Sequence, residues 1–161
     1  MTADPRTTLL LAEIEKGRSV LARIDAFYRK QAAGLGPVSS RTTEQAIVIA
    51  DVLVSSYTCL ETLFLRVSQH FENHLDREKW HRELLHRMTL EVPGIRERVL
   101  SESTGDALGE LLRFRHFKRY YFDFQYDWER IEFVRQKYER LQPLLAADLD
   151  RFVAFVISLG A

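Results

Sequence analysis

The sequence contains little cysteine, proline or glycine. Cys59 is the one cysteine in 161 residues, so no disulfide can form within the chain. This excludes the small disulfide-stabilised secreted folds and favours a reducing, cytoplasmic location. Because Cys59 lies in an apolar helical pattern, we expect it to be a small buried core residue. The four prolines and seven glycines cluster between long periodic stretches, which is typical of an all-helical domain.

Net charge and long apolar runs are also absent. Lys plus Arg and Asp plus Glu both number 23, so the chain as a whole does not attract nucleic acid or membrane. Any basic site must therefore be local. No apolar run approaches the roughly 20 residues that span a bilayer. The N-terminus also lacks the basic segment, apolar run and cleavage site of a signal peptide. We expect a cytoplasmic protein with no membrane partner.

Hydrophobic periodicity predicts one helical domain over residues 1–161. A hydrophobic content of 46% can build a core at this length without disulfides or metals. Helical spacing predicts helices from about 7 to 33, 43 to 71, 78 to 88, 106 to 122 and 128 to 159. Residues 34–37 end the first with a left-handed glycine, and Pro143 predicts a kink or break in the last. The fold class is therefore all-α, an up-and-down bundle of four to five helices.

Capping signals support these boundaries. Thr42 and Gln45 match a capping box, and Asp127 precedes the last helix with Glu129 in its first turn. A break is expected at residues 73–76. The segment 89–105 contains Pro93 and Gly94 and is the least regular part of the chain.

Glu61 falls within an otherwise apolar stretch between Tyr57 and Phe64. Glutamate is rarely fully buried, so we expect it at the edge of the buried stripe. If Glu61 is buried instead, it needs a cation, and residues 113–119 are one source.

Four residues could suggest a metal site. His70 and His74 are one helical turn apart, with His81 and Glu83 nearby. No Cys, Asp or third His joins the pair at a recognisable spacing. We therefore predict no metal and no cofactor.

The densest chemistry lies in residues 113–124, which hold four cations, one imidazole and several aromatic rings. Core packing alone does not require this composition, and such a surface suits an anionic partner that can stack. An RNA-like molecule would be such a partner. The candidate RNA-binding residues are Arg113, Lys118, Arg119 and Tyr121.

Three segments together resemble the HepT-like branch of the HEPN superfamily. They are residues 56–61, residues 80–88, and residues 112–116 leading into 123–130. The resemblance covers most of the chain from about residue 45 onward. It implies a small all-helical domain, usually a two-fold dimer, encoded beside a minimal nucleotidyltransferase that acts as antitoxin. It also implies RNA as the target, because the active members are metal-independent ribonucleases that act as toxins.

The signature of that family is Arg, four residues, His, one residue and Tyr. Alignment on residues 113–116 places the signature arginine at Arg115. The histidine position holds Tyr120, and the tyrosine position holds Phe122. In the family the signature tyrosine can accept nucleotidyl groups from the partner enzyme. Phe122 cannot accept them, so the candidate acceptors here are Tyr120 and Tyr121.

RNA cleavage by its own 2′-hydroxyl requires proton removal, protonation of the leaving oxygen and stabilisation of the phosphorane. Arg115 and Arg119 can stabilise the phosphorane through hydrogen bonds to phosphate oxygens. Tyr120 handles protons poorly, because its reference pKa is near 10 against about 6.5 for histidine. His116 could approach the same cleft, or it could be a structural residue that bonds to a carboxylate or the backbone. The catalytic candidates are Arg115, Tyr120 and His116.

Two functions follow, and the sequence does not choose between them. The resemblance favours a ribonuclease toxin or a weakened descendant of one. Tyr120 and Phe122 favour an inactive HEPN domain that binds RNA, a nucleotide or a nucleotidyltransferase. A plain structural module would leave the clustered arginines unexplained. The second and fourth helices have wide apolar faces, so we expect a homodimer with both Arg115 side chains at one groove.

Overall fold

A computed structural model describes residues 4–72, 80–120 and 123–160, and these form a helical bundle. The helices are α1 (Pro5–Ala33), α2 (Thr43–Phe71), α3 (Trp80–Met88), α4 (Glu102–Lys118) and α5 (Trp128–Leu159), with a 3-10 turn at Val38–Ser40. In the described ranges the β-structure is one isolated bridge between Val92 and Arg96. The predicted all-α bundle is confirmed.

The helices pack in an up-and-down order around α2, which contacts each of the other four. The direction of α5 against α1 follows from two contacts. Arg18 pairs with Asp150, while Tyr28 donates to Glu139 at 2.6 Å. Residue numbers that increase along α1 thus contact residue numbers that decrease along α5, so the two helices run antiparallel. The core lies on the inner face of α2, where Tyr57 and Phe64 are fully buried.

The outer surfaces of α2 and α4 are polar. None of the large hydrophobic side chains that are exposed in the described ranges lies on either helix. The exposed positions of α2 form a stripe at helical spacing: Asp51, Ser55, Thr58, Thr62, Arg66 and Gln69. The expectation that their apolar faces need a second copy is therefore wrong, because the other helices of the same chain already cover them. Two-fold pairing is still expected from the family resemblance.

Two helix starts agree with the capping signals. Thr42 accepts the N–H of Gln45, and the Gln45 side chain accepts the N–H of Thr42, so the predicted capping box is confirmed. Asp127 accepts the N–H of Glu129 at 2.9 Å, as predicted. Gly34 was expected in the left-handed region, but it is right-handed with φ −84°.

Two helix boundaries differ from the prediction. α4 begins at Glu102 and not at 106, because Ser101 caps it by accepting the N–H of Thr104. It ends at Lys118 and not at 122, because the N–H groups of Arg119 and Tyr120 both turn back to the Phe117 carbonyl. Of the kink or break predicted at Pro143, the break is wrong, since α5 continues through this residue, and the kink stays a prediction. The break expected at 73–76 lies outside the described residues.

The segment between α3 and α4 is organised by an arginine that the sequence did not single out. Gly94 has φ +75° in the turn that follows Pro93, a conformation that glycine adopts without strain. The side chain of Arg96 is completely buried. It donates to the carboxylate of Glu72 and to the carbonyl oxygens of Arg87 and Leu90. Arg96 thus ties this segment to the ends of α2 and α3.

α2 is long and apolar enough to cross a membrane by length and composition alone, contrary to the sequence-based expectation. Its most apolar window is 56% buried inside the bundle. The core helix of a globular domain passes the same test, and α2 has that position here.

Cys59 is half-buried on α2, so the prediction of a fully buried core residue is wrong. Its Sγ lies 3.8 Å from the Gly17 carbonyl oxygen on α1. Burial raises the pKa of the thiol, which therefore stays protonated at neutral pH.

Asp148 joins α5 to the start of α4. Its carboxylate accepts the N–H and the hydroxyl of Ser101 and the hydroxyl of Thr104, at 2.6–2.9 Å. Burial alone would raise the pKa of Asp148, but hydrogen bonds from Thr104, Ser101 and Arg151 lower it below the usual 3.8. The stability that this shift supplies is complete above pH 3.8 and is lost as pH falls through the lowered value.

We therefore expect Asp148→Asn to lower the free energy of unfolding by about 1–3 kcal/mol at pH 7, since an amide cannot accept all these bonds. The deficit should shrink as pH falls below 3.8, where the unfolded wild-type chain binds a proton at Asp148 before the folded one does. Urea denaturation between pH 7 and pH 2 measures both effects. Asp150→Asn, at an exposed position on the same helix, is the control and should change stability by less than about 0.5 kcal/mol. Equal losses in the two variants would contradict this role for Asp148.

Candidate functional site

A shallow groove of about 470 Å³ lies where α2, α3 and α4 meet. We call it the α2–α4 groove. Three of its lining residues come from the last turn and cap of α4, where cations are stabilised by the helix dipole. The lining residues are Val54, Thr58, Glu61, His81, Arg115, Lys118 and Arg119.

A buried ion pair forms the floor of the groove. Glu61 and Arg115 are each 6% exposed. The two terminal nitrogens of Arg115 donate to the two carboxylate oxygens of Glu61, both at 3.0 Å. The expectation that Glu61 sits at the edge of the buried stripe is wrong. The alternative, a buried carboxylate paired with a cation from residues 113–119, is confirmed.

These bonds hold the Arg115 guanidinium in the protein interior. Its guanidinium lies over the ring of Tyr57, 4.9 Å from the centroid. Its Nε is buried and has no hydrogen-bond partner in the described part of the chain. The phosphate-binding role predicted for Arg115 would require a phosphate to displace Glu61 from a bidentate pair, which is costly in a buried setting.

His81 completes the cluster from the first turn of α3. Its Nδ1 lies 2.8 Å from a Glu61 oxygen and 3.0 Å from an Arg115 nitrogen. The tautomer with hydrogen on Nδ1 donates to Glu61 and leaves Nε2 on the opposite side of the ring. The ring also packs against Trp80, with centroids 3.8 Å apart and the ring planes tilted by 34°. Sequence reasoning considered His81 only as a metal ligand. The signal that points to it is a glutamate in an apolar stretch, which needs polar partners once it is buried.

His116 lies beside this cluster on the solvent side of α4. Its ring is edge-on to that of His81, with centroids 6.0 Å apart. Partial desolvation and the charges of Arg115 and Arg119 lower the pKa of His116 below its usual value. The neutral imidazole therefore predominates at pH 7. No group in the described residues hydrogen-bonds to His116, so the structural interpretation of this histidine finds no support.

The predicted RNA-binding cations divide into two groups. Lys118 donates to Asp51 at 3.0 Å in a solvated pair, which costs little to break. Arg119 lines the groove and forms no ion pair within the described ranges. Arg113 is paired with Glu110, is mostly exposed, and does not line the groove. Lys118 and Arg119 are thus the cations that remain available in the groove.

Tyr120 is placed differently from the expectation. Tyr120 lies beyond the end of α4 and is 78% exposed, so it is not on the helical face that carries Arg115. Tyr121 and Phe122 lie outside the described residues. His74 of the metal-site alternative also lies outside them. Across residues 4–72, 80–120 and 123–160, no three His, Cys, Asp or Glu side chains form a metal-binding group.

The model of one known protein family matches this chain. Its description is "HepT-like protein", and the match covers residues 48–156. That range includes Glu61, His81, Arg115 and His116. No curated protein and no solved structure matches the chain. The match extends over well more than half of the sequence, in agreement with the all-helical bundle. The chain belongs to the HepT-like family of HEPN-type proteins.

Proposed function

We propose that this protein acts on RNA, as a metal-independent endoribonuclease or a weakened descendant of one, in a toxin–antitoxin system. One observation carries the proposal. A neutral, solvent-exposed histidine, His116, lies beside the α2–α4 groove, close to Arg119 and to a second imidazole, His81. Such a site offers phosphate binding and proton transfer without a metal ion.

The roles divide according to what each side chain is free to do. Arg119, together with Lys118, holds the RNA phosphate and stabilises charge on it. His116 accepts the proton of the attacking 2′-hydroxyl, a role suited to an imidazole that is neutral at pH 7. Arg115 keeps its bonds to Glu61 and supplies positive potential from beneath the groove. Tyr120, beyond the helix, takes no part in the proton transfer.

The partners that the family resemblance implies are part of the same proposal. A minimal nucleotidyltransferase acts as the antitoxin, and Tyr120 is accessible enough to accept a nucleotidyl group from it. Tyr121 is the other candidate acceptor. A homodimer would bring two α2–α4 grooves together and double the positive surface available to one RNA strand.

A second candidate function is supported by a different observation. Both terminal nitrogens of Arg115 are engaged by Glu61, and the signature histidine and tyrosine are replaced by Tyr120 and Phe122. These features favour a HEPN domain that binds RNA, a nucleotide or the nucleotidyltransferase without cleaving anything. In that case the protein would bind its ligand but would not cleave RNA.

RNA binding through the groove is tested by exchanging one arginine at a time. We expect Arg119→Ala to weaken binding of a labelled RNA and to reduce the slope of log affinity against log salt by about 1, because one phosphate contact is lost. Arg113→Ala removes an equal charge from the same helix outside the groove, and it should change neither quantity. Fluorescence anisotropy over a series of salt concentrations measures both. Equal effects of the two variants would show that the groove is not the RNA site.

A further inference from the structure

We infer that His81, held by Glu61, is the general acid that protonates the leaving 5′-oxygen when RNA is cleaved. The inference rests on the proposed function, since it adds a second proton-transfer group to the same groove. It gives roles to two residues that neither the family signature nor the stretch 113–124 contains.

The orientation of His81 is fixed by its neighbours. A buried carboxylate holds Nδ1 at 2.8 Å, and the Trp80 ring packs against the imidazole, with centroids 3.8 Å apart. A carboxylate that accepts from one imidazole nitrogen orients the ring and leaves the other nitrogen to exchange protons. The His81 side chain remains 25% exposed, so the ring is open to the groove. Glu61 is thus a positioning residue, and His81 presents Nε2.

The spacing of the two imidazoles suits an in-line displacement. The entering and leaving oxygens lie on opposite sides of the phosphorus. In two-metal sites that catalyse such a displacement, the two metal ions that stabilise these oxygens lie roughly 3.5–4 Å apart. Proton donors and acceptors reach such oxygens at about 2.6–3.2 Å. Ring centroids 6.0 Å apart leave room for one imidazole on each oxygen.

The charges around each ring assign the direction of proton transfer. Among the described residues, His116 faces Arg115 and Arg119 at the end of α4 and His81 on α3, and Glu61 opposes these charges, so His116 is the neutral base. His81 faces Glu61 on α2 and Arg115 and His116 on α4. Because the Glu61 carboxylate engages Nδ1, Nε2 is the nitrogen from which His81 gives its proton to the leaving oxygen.

The step balances without a co-reactant. The O2′–H proton passes to His116 as the O2′–P bond forms. The P–O5′ bond breaks, and O5′ takes the proton from Nε2 of His81. The products are a 2′,3′-cyclic phosphate and a 5′-hydroxyl, and proton exchange with water restores both imidazoles.

The role of His81 is tested with two substrates that differ in one atom. One is an ordinary RNA, and the other carries sulfur in place of the bridging 5′-oxygen, a leaving group that needs no protonation. We expect His81→Gln to slow cleavage of the ordinary RNA by roughly 10²–10⁴-fold and to leave cleavage of the sulfur substrate near the wild-type rate. Glu61→Asp, which keeps the carboxylate, should retain more activity on the ordinary RNA than Glu61→Gln.

His86→Gln, at an exposed position on the same helix, is the matched control and should behave as wild type with both substrates. If His81→Gln cleaves ordinary RNA at the wild-type rate, or slows both substrates equally in a folded protein, His81 is not the acid, whereas the proposed function stands. If the wild type cleaves neither substrate, the proposed ribonuclease activity fails and the inference fails with it.

Discussion

Replacing Arg115 by methionine is expected to lower the free energy of unfolding by about 3–5 kcal/mol, the usual cost of leaving one member of a buried ion pair without its partner. Glu61 is 6% exposed, and both its oxygens accept from Arg115. Among the described residues, His81 is the hydrogen-bond partner that would remain for that carboxylate in the variant. Urea denaturation at pH 7, with stability taken from the linear dependence on denaturant, measures the loss.

Removal of both charges provides the matched comparison. A buried ion pair replaced by apolar side chains of similar volume is often neutral in stability, because the desolvation cost disappears with the charges. Glu61→Leu combined with Arg115→Met should therefore recover most of the stability lost in Arg115→Met alone. If Arg115→Met is as stable as the wild type, the pair does not hold α2 to α4 in the way described here.

This expectation affects how activity data are interpreted. Loss of RNA cleavage in Arg115→Ala would not by itself identify a catalytic arginine, because the same change removes a structural contact between α2 and α4. Arg119, which lines the groove, and His116, which lies beside it, give cleaner tests of function.

Cleavage of RNA by His116→Ala is expected to be roughly 10²–10⁴-fold slower than by the wild type, the usual effect of removing a general base. His116 is exposed and forms no hydrogen bond in the described part of the chain, so its removal should change stability by less than about 0.5 kcal/mol. Initial rates on a labelled RNA, together with a denaturation curve, separate the chemical effect from a folding defect.

Tyr120→Phe is the control for this experiment. It removes a hydroxyl at the position that aligns with the family's histidine, and we expect it to leave the cleavage rate unchanged. A large loss in Tyr120→Phe with full activity in His116→Ala would reverse the assignment and place proton transfer at Tyr120.

Much of the fold follows from local sequence patterns. The apolar spacing of α2 and the capping box at Thr42 and Gln45 act within one or two helical turns, so the sequence alone predicts them. The last helix was also predicted, with its cap at Asp127. Both ends of α4 were misplaced, because Ser101 was assigned to a loop and the aromatic residues after Lys118 resemble a helical continuation.

The site was only partly predictable. Its Arg115 and His116 lie in a stretch whose composition is unusual, so they could be selected from the sequence. The cluster of Glu61, His81 and Arg115 joins residues that are 20 and 54 positions apart. Helical periodicity shows which face a side chain occupies, but it does not show which distant side chain will meet it. The sequence offered residues 113–119 as one source of a cation for a buried Glu61, and the packing of α2 against α4 shows that Arg115 supplies it.

The central claim is that the α2–α4 groove cleaves RNA with imidazoles and without a metal ion. Its most direct test is incubation of the purified wild-type protein with a labelled RNA in excess chelator, followed by analysis of the product ends. Our account predicts cleavage that leaves 2′,3′-cyclic phosphate and 5′-hydroxyl ends. Intact RNA that still binds the protein in a salt-dependent way would contradict it and would identify the groove as a binding site only.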